Sequence, residues 1–228
     1  SENAARYHGG LAPIGLATLQ IARTATVPVV VHLDHATDES LLDEAIAIGF
    51  TSVMYDGAVL DYPDNVARTA AAVVRAPAAA VWVEAELGEV GGKDGAHAPG
   101  VKTNPVDAAA FVAATGVDAL AIAVGSSHAM TERTAAIDLD RIAEIAAAVS
   151  IPLVLHGSSG VPDDAIAAGV LAGLTKINVS THLNKVFTGA LRDHLAANPS
   201  VVDPRKYLGA ARHALALEVT RLIGVIRG

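Results

Sequence analysis

Short apolar runs rich in β-branched residues alternate with alanine-rich stretches along the whole chain, and this alternation restricts the fold more than any other feature. The runs are VPVVVHL at 27–33, TSVMYD at 51–56, AAVWVEAEL at 79–87, ALAIAV at 119–124, IPLVLHG at 151–157 and KINVS at 176–180. They are nearly continuous in hydrophobicity, as strands buried on both faces must be, and the segments between them predict helices over 39–48, 64–75, 105–115, 138–148 and 163–172. Strands alternating with helices in this way define a parallel α/β fold. Asp38, the pair Asn104-Pro105 and the pair Pro162-Asp163 stand where a capping side chain or a first-turn proline belongs.

A doubly wound sheet announces itself by a glycine-rich fingerprint after its first strand, whereas here the chemically active residues fall at the ends of nearly every strand. That is the habit of a (β/α)8 TIM barrel, whose active site sits at the C-terminal face. Six strands do not close an eight-strand barrel, so they are read as strands three to eight. Residues 11–25 predict a helix, and Ser1–Asn3 read as the tail of the strand before it. The first strand, first helix and most of the second strand are therefore expected to be absent from this chain, and residues 1–228 form one N-terminally incomplete barrel domain. The glycine-rich stretch 88–103 has no apolar periodicity and is expected to be a mobile loop at the site's mouth.

At 228 residues with 52% hydrophobic composition, one large core suffices. The 24 acidic residues against 16 basic ones give a net charge of −8, which disfavours a nucleic-acid partner. No apolar run is long enough for a membrane span, and no signal-peptide pattern opens the chain. Without cysteine, a metal must be held by His, Asp or Glu, and the chain reads as cytoplasmic.

The strand ends supply such residues: Asp34 and His35 after the first run, Asp56 after the second, Glu84 and Glu86 on the third, His128 after the fourth and His156 at the end of the fifth. Histidines 35, 128 and 156 come from three strands and would converge above the barrel axis, and three neutral imidazoles with an open position are what a catalytic zinc requires. LHGSSGV at 155–161 and NVST at 178–181 offer small residues with backbone N–H groups, the second at a helix start. Together they read as the phosphate site that such barrels build after their last two strands.

Taken in order, VHLDHA, VEAELG, GSSHAM, LHGSSG and KINVST resemble the class II, zinc-dependent fructose-bisphosphate and tagatose-bisphosphate aldolases over essentially the whole chain. The resemblance implies reversible cleavage of a ketose 1,6-bisphosphate to dihydroxyacetone phosphate and glyceraldehyde 3-phosphate through a zinc-stabilised enediolate. It makes Asp34 the proton donor and gives one Zn2+ to His35, His128 and His156, with Glu86 and Asp56 at an alternative or second position for a metal or monovalent cation. Gly157, Ser158, Ser159, Asn178, Val179, Ser180 and Thr181 would cradle the ketose phosphate. Ser1 matches a substrate-side serine, and Arg205 an arginine reaching a neighbouring subunit's phosphate in a homodimer or homotetramer. The chain departs from the family pattern twice. His128 is followed by Ala129 where the family has glycine, and the loop reads GGKDG where the family often has Gly-Gly-Glu-Glu, leaving Asp94 or Glu89 as the C–H base.

Aldol cleavage needs an electron sink, either a Schiff base on lysine or a Lewis-acid metal. Of five lysines, Lys93 and Lys102 lie in the loop, Lys176 starts a strand, and Lys185 and Lys206 fall on late helices, so the metal is expected to serve. His32 is expected to pack within the sheet, as are Trp82 and Tyr55, while His8, His97, His182, His194 and His213 are expected on the surface or on helices. The stretch 203–226 predicts an amphipathic helix. A metal-dependent barrel hydrolase or deaminase, or a non-catalytic sugar-phosphate binder, are the competing readings.

Overall fold

The computed structural model describes residues 1–76, 81–88 and 102–228. Along these run α1 (Glu2–Tyr7), α2 (Leu11–Thr24), β1 (His32–Ala36), α3 (Glu39–Ile48), β2 (Ser52–Tyr55), α4 (Tyr62–Arg75), β3 (Trp82–Leu87), α5 (Pro105–Thr115) and β4 (Ala119–Ile122). They continue with α6 (Leu139–Ala148), β5 (Leu153–Leu155), a 3₁₀ turn (Ser158–Gly160), α7 (Asp163–Ala172), β6 (Leu174–Ile177), α8 (Thr181–Ala197) and α9 (Pro204–Arg227). The six strands form one sheet in chain order, and a helix joins each consecutive pair, the connection that parallel neighbours need. The fold is α/β with a parallel sheet, as expected.

Helix starts follow the capping chemistry legible in the sequence. Asp38 accepts from the Ser40 N–H, Asp61 from Asp64, Asn104 from Val106 and Asp107, and Asp203 from Arg205. Each satisfies a backbone donor that the first turn leaves without a helical partner.

Three expectations need correction. Residues 1–3 are not a strand tail, because Ser1 caps α1 by accepting from the Ala4 N–H. The first strand does not cover 27–33; it begins at His32, whose partner Ser52 is the first residue of β2. Residues before His32 therefore meet no partner on β2, and Val27, Val29 and Val30 are exposed. Trp82 opens β3 with 58% of its surface exposed and is not packed in a core.

The described residues fall into two compact units. The first takes 1–76, 81–88, 103–122 and 147–153; the second takes 102, 123–146 and 154–228. In the first, Leu33, Leu42, Val53, Met54, Val83, Phe111 and Leu120 are buried. In the second, Ile142, Ile145, Val154, Leu155, Ile166 and Leu174 are buried.

Candidate active site

In the first unit the sequence Asp34-His35 lies inside β1, not beyond its exit as expected. The register runs Leu33↔Val53 and then Ala36↔Tyr55, so three steps on β1 oppose two on β2. The extra residue is a bulge, and His35 takes φ +50° within it. In a regular strand two successive side chains point to opposite faces. The bulge breaks that alternation, and Asp34 Oδ2 comes within 3.9 Å of His35 Nε2.

His35 is held from its other nitrogen, since Nδ1 lies 2.7 Å from Asp56 Oδ2. Asp56 directly follows β2 and is buried. A carboxylate on Nδ1 fixes the ring and leaves Nε2 as the ligating nitrogen, the usual arrangement around a metal-bound histidine. Neutral imidazole nitrogen backed by carboxylate suits zinc, so these residues fit the ion that the resemblance implies. Glu86 is buried on β3, and its backbone carbonyl accepts from Asn65 Nδ2 at 3.3 Å. Within the same unit His32, Asp34 and Glu84 form a group of His, Asp and Glu able to hold a metal.

The second unit carries His128 and His156, whose rings meet edge to face with centroids 5.9 Å apart. His156 directly follows β5 and is fully buried, its Nε2 3.1 Å from Asn178 Nδ2 and its carbonyl accepting from Ser126 Oγ at 2.6 Å. The next residue is Gly157 at φ +65°, where an added Cβ would stand 2.6 Å from the Ser127 backbone. Only glycine fits that approach. Ala129, after His128, adopts φ +61° with a side chain that disfavours it. The backbone thus keeps a left-handed turn at the position where the resembling family has glycine.

The two loops read as a phosphate cradle come together within this unit. Ser158 Oγ donates to the Asn178 carbonyl at 2.5 Å, and the Asn178 N–H donates to the Leu155 carbonyl at 3.0 Å. Ser180 caps α8 without a side-chain bond of its own. Ser159 Oγ does that work from the neighbouring loop, accepting from the Ser180 N–H at 3.3 Å and the His182 N–H at 3.1 Å. A hydroxyl oxygen therefore rests on the N–H groups that open α8, a place suited to an anionic oxygen. Val179 and Thr181 complete the turn between β6 and α8.

His182 lies on α8, in keeping with expectation, and is half-buried. Its Nε2 pairs with Glu218 Oε1 at 2.6 Å, Arg221 bonds both Glu218 and Asp163, and Arg133 pairs with Asp163 at 2.6 Å. The Arg221 guanidinium first, and His182 after it, pull the Glu218 carboxyl down to about 2 against the opposing effect of burial. This chain of ion pairs, joining α7, α8, α9 and the loop at Arg133, left no local trace in the sequence because its bonded partners lie up to 58 positions apart.

Ser1 stands at the start of α1, and Arg205 is exposed on the first turn of α9 with its guanidinium on Asp203. Asp94 and Glu89, the candidates for the C–H base, lie outside the described residues, as does His97.

Sheet order, helix connections and residues gathered after successive strands define an α/β protein of the kind that builds its site on strand ends. The model of the class II fructose-bisphosphate aldolases matches residues 1–227, and the chain belongs to that family. Among solved structures it is similar to the YdjI aldolase from Escherichia coli K12, with TM-score 0.82, 29% identity, and 95% of this chain and 76% of that one covered. It is also similar to a putative fructose-1,6-biphosphate aldolase from Coccidioides immitis, with TM-score 0.82, 26% identity and coverage of 95% and 77%. Fructose-bisphosphate aldolase from Campylobacter jejuni, at 19% identity with TM-score 0.76 and coverage of 96% and 76%, shares the fold. Among the described residues, no helix is long and apolar enough to cross a membrane.

Proposed function

We propose that this protein is a metal-dependent lyase that cleaves a ketose 1,6-bisphosphate, fructose or tagatose, to dihydroxyacetone phosphate and glyceraldehyde 3-phosphate, and catalyses the reverse condensation. The observation that carries the reading is the Asp34-His35 bulge, with Asp56 behind the imidazole, in a chain of the class II aldolase family. His35, His128 and His156 would hold one Zn2+, with Glu86 as an alternative ligand and Asp56 as the partner that orients His35. When bound, the ion supplies Lewis-acid polarisation of the ketone carbonyl.

The chain's own groups do the rest. Asp34 delivers a proton to the aldehyde oxygen in condensation and removes it in cleavage. Gly157, Ser158, Ser159, Asn178, Val179, Ser180 and Thr181 seat the ketose phosphate on backbone and hydroxyl donors. Ser1 contacts the substrate, and Arg205 reaches the phosphate bound by a neighbouring subunit in a homodimer or homotetramer. Asp94 moves the C–H proton. We read residues 1–228 as one domain whose strands stand for three to eight of a (β/α)8 barrel, working in the cytoplasm.

Assaying the purified protein against both bisphosphates, with and without a chelator, tests the proposal. Cleavage of at least one, abolished by chelation and restored by Zn2+, is expected. Absence of cleavage with the zinc-loaded protein would overturn it.

A further inference from the structure

The bulge on β1 is strained at the place where the proposed reaction needs it fixed. His35 holds φ +50° within it, and a residue with a Cβ keeps left-handed backbone only where its surroundings over-determine it. On one side β2 supplies the hold. Asp56 bonds the imidazole of His35, and its own N–H donates to the Ala36 carbonyl at 2.8 Å.

The matching contact comes from Glu2, the first residue of α1, which stands 35 positions before Thr37. Its Oε2 accepts from the Thr37 N–H at 2.8 Å, from Thr37 Oγ1 at 3.0 Å and from the Asp38 N–H at 3.3 Å. The peptide joining Ala36 to Thr37 is thus gripped at both ends, its carbonyl by Asp56 and its N–H by Glu2. The other carboxylate oxygen, Oε1, accepts from Arg6 at 3.0 Å, so both oxygens of Glu2 are directed. Docking α1 by apolar contact would not need a carboxylate, whose side chain here is only 18% exposed and gives up water to reach these donors. Charge-assisted bonds to backbone N–H groups are the stronger kind, and three of them converge where β1 ends and α3 is about to start.

We propose that Glu2 is a positioning residue for the reaction: by fixing the Ala36–Thr37 peptide it holds the bulge in the shape that brings Asp34 Oδ2 within 3.9 Å of His35 Nε2. The inference rests on the roles proposed above for Asp34 as proton carrier and His35 as metal ligand.

The test compares the full-length chain with Glu2→Ala and Glu2→Gln. Zinc affinity is measured in competition with a chromophoric chelator, kcat and KM on whichever bisphosphate the wild type cleaves, and Tm by calorimetry. Glu2→Ala is expected to weaken zinc binding and to lower kcat, each by about 10-fold or more, the usual worth of groups that orient a metal ligand from behind. KM should change less than kcat. Glu2→Gln, whose amide oxygen still accepts from both N–H groups, is expected to recover most of both losses. A lower Tm with zinc affinity and kcat unchanged would reduce Glu2 to a tie for α1 and overturn the proposal. A raised KM alone would overturn it too, since Glu2 would then act through its neighbour Ser1. Should Glu2→Ala fail to fold, Thr37→Val removes the hydroxyl bond and leaves Glu2 in place: a smaller loss in the same two quantities supports the proposal, and no loss overturns it. A wild type that cleaves neither bisphosphate would overturn the proposed function instead, while the zinc affinities of the variants would still read the positioning.

Discussion

At the scale of single residues, two neighbours on β1 are given separate tasks by a bulge. If Asp34 carries the proton and His35 the metal, Asp34→Ala should keep the zinc of the three-histidine site and lose kcat by about 10²–10⁴-fold, the usual worth of a general acid or base. His35→Ala should lose that zinc and activity together, and elemental analysis beside steady-state kinetics separates the two outcomes. Ala129 offers a purely backbone test, because it is exposed and holds φ +61°. Left-handed backbone costs a residue with a Cβ about 1–2 kcal/mol, more than glycine's added entropy in the unfolded chain. Ala129→Gly should therefore leave Tm unchanged or raised, while Ala129→Val should lower it; calorimetry showing the opposite order would refute the strain.

At the scale of elements, α8 is held at its start by two devices from elsewhere in its unit. Ser159 caps it through the Ser180 and His182 N–H groups, so Ser159→Ala should cost about 1 kcal/mol in denaturant unfolding. The same hydroxyl belongs to the proposed phosphate cradle, and its loss should raise KM more than it lowers kcat. The second device is the His182–Glu218–Arg221–Asp163 chain of charges. With the Glu218 carboxyl held at about 2, below its ordinary 4.5, the folded state binds this proton less readily than the unfolded one. The stabilisation is therefore fully present above pH of about 4.5 and fades as pH falls toward 2. Arg221 is 42% exposed, and solvent screening reduces the contribution to about 1 kcal/mol. The Tm difference between wild type and Glu218→Gln should be constant near neutral pH and vanish in strong acid; a gap that persists at pH near 2 would count against it.

At the scale of the whole molecule, the choice of electron sink turns on where the lysines are. Among the described residues, Lys102 pairs with Asp138, Lys185 donates to the Thr131 carbonyl, Lys176 is the third residue of β6 and not its first, and Lys206 lies on α9. Borohydride with substrate should leave activity intact, whereas a chelator should abolish it; inactivation by borohydride would move the protein to Schiff-base chemistry. The order of the strands and of the helices between them, the Asp38 and Asn104 caps and the glycine-rich turn after His156 were legible in the sequence, because hydrophobic period, capping and left-handed backbone are local properties. The candidate site residues were named from their place in or just after the apolar runs, but their position relative to the strand ends was not legible, since Asp34 and His35 lie within β1. Register is not local. The pairing of Leu33 with Val53 and Ala36 with Tyr55 made the bulge that turns Asp34 and His35 toward one another, and it set where β1 begins. Contacts between distant segments likewise put Ser52 behind His32, Asp56 behind His35 and Glu218 on His182. No pattern of spacing encodes such pairs, because they arise only when separate strands and helices pack, and the tertiary structure alone decided them.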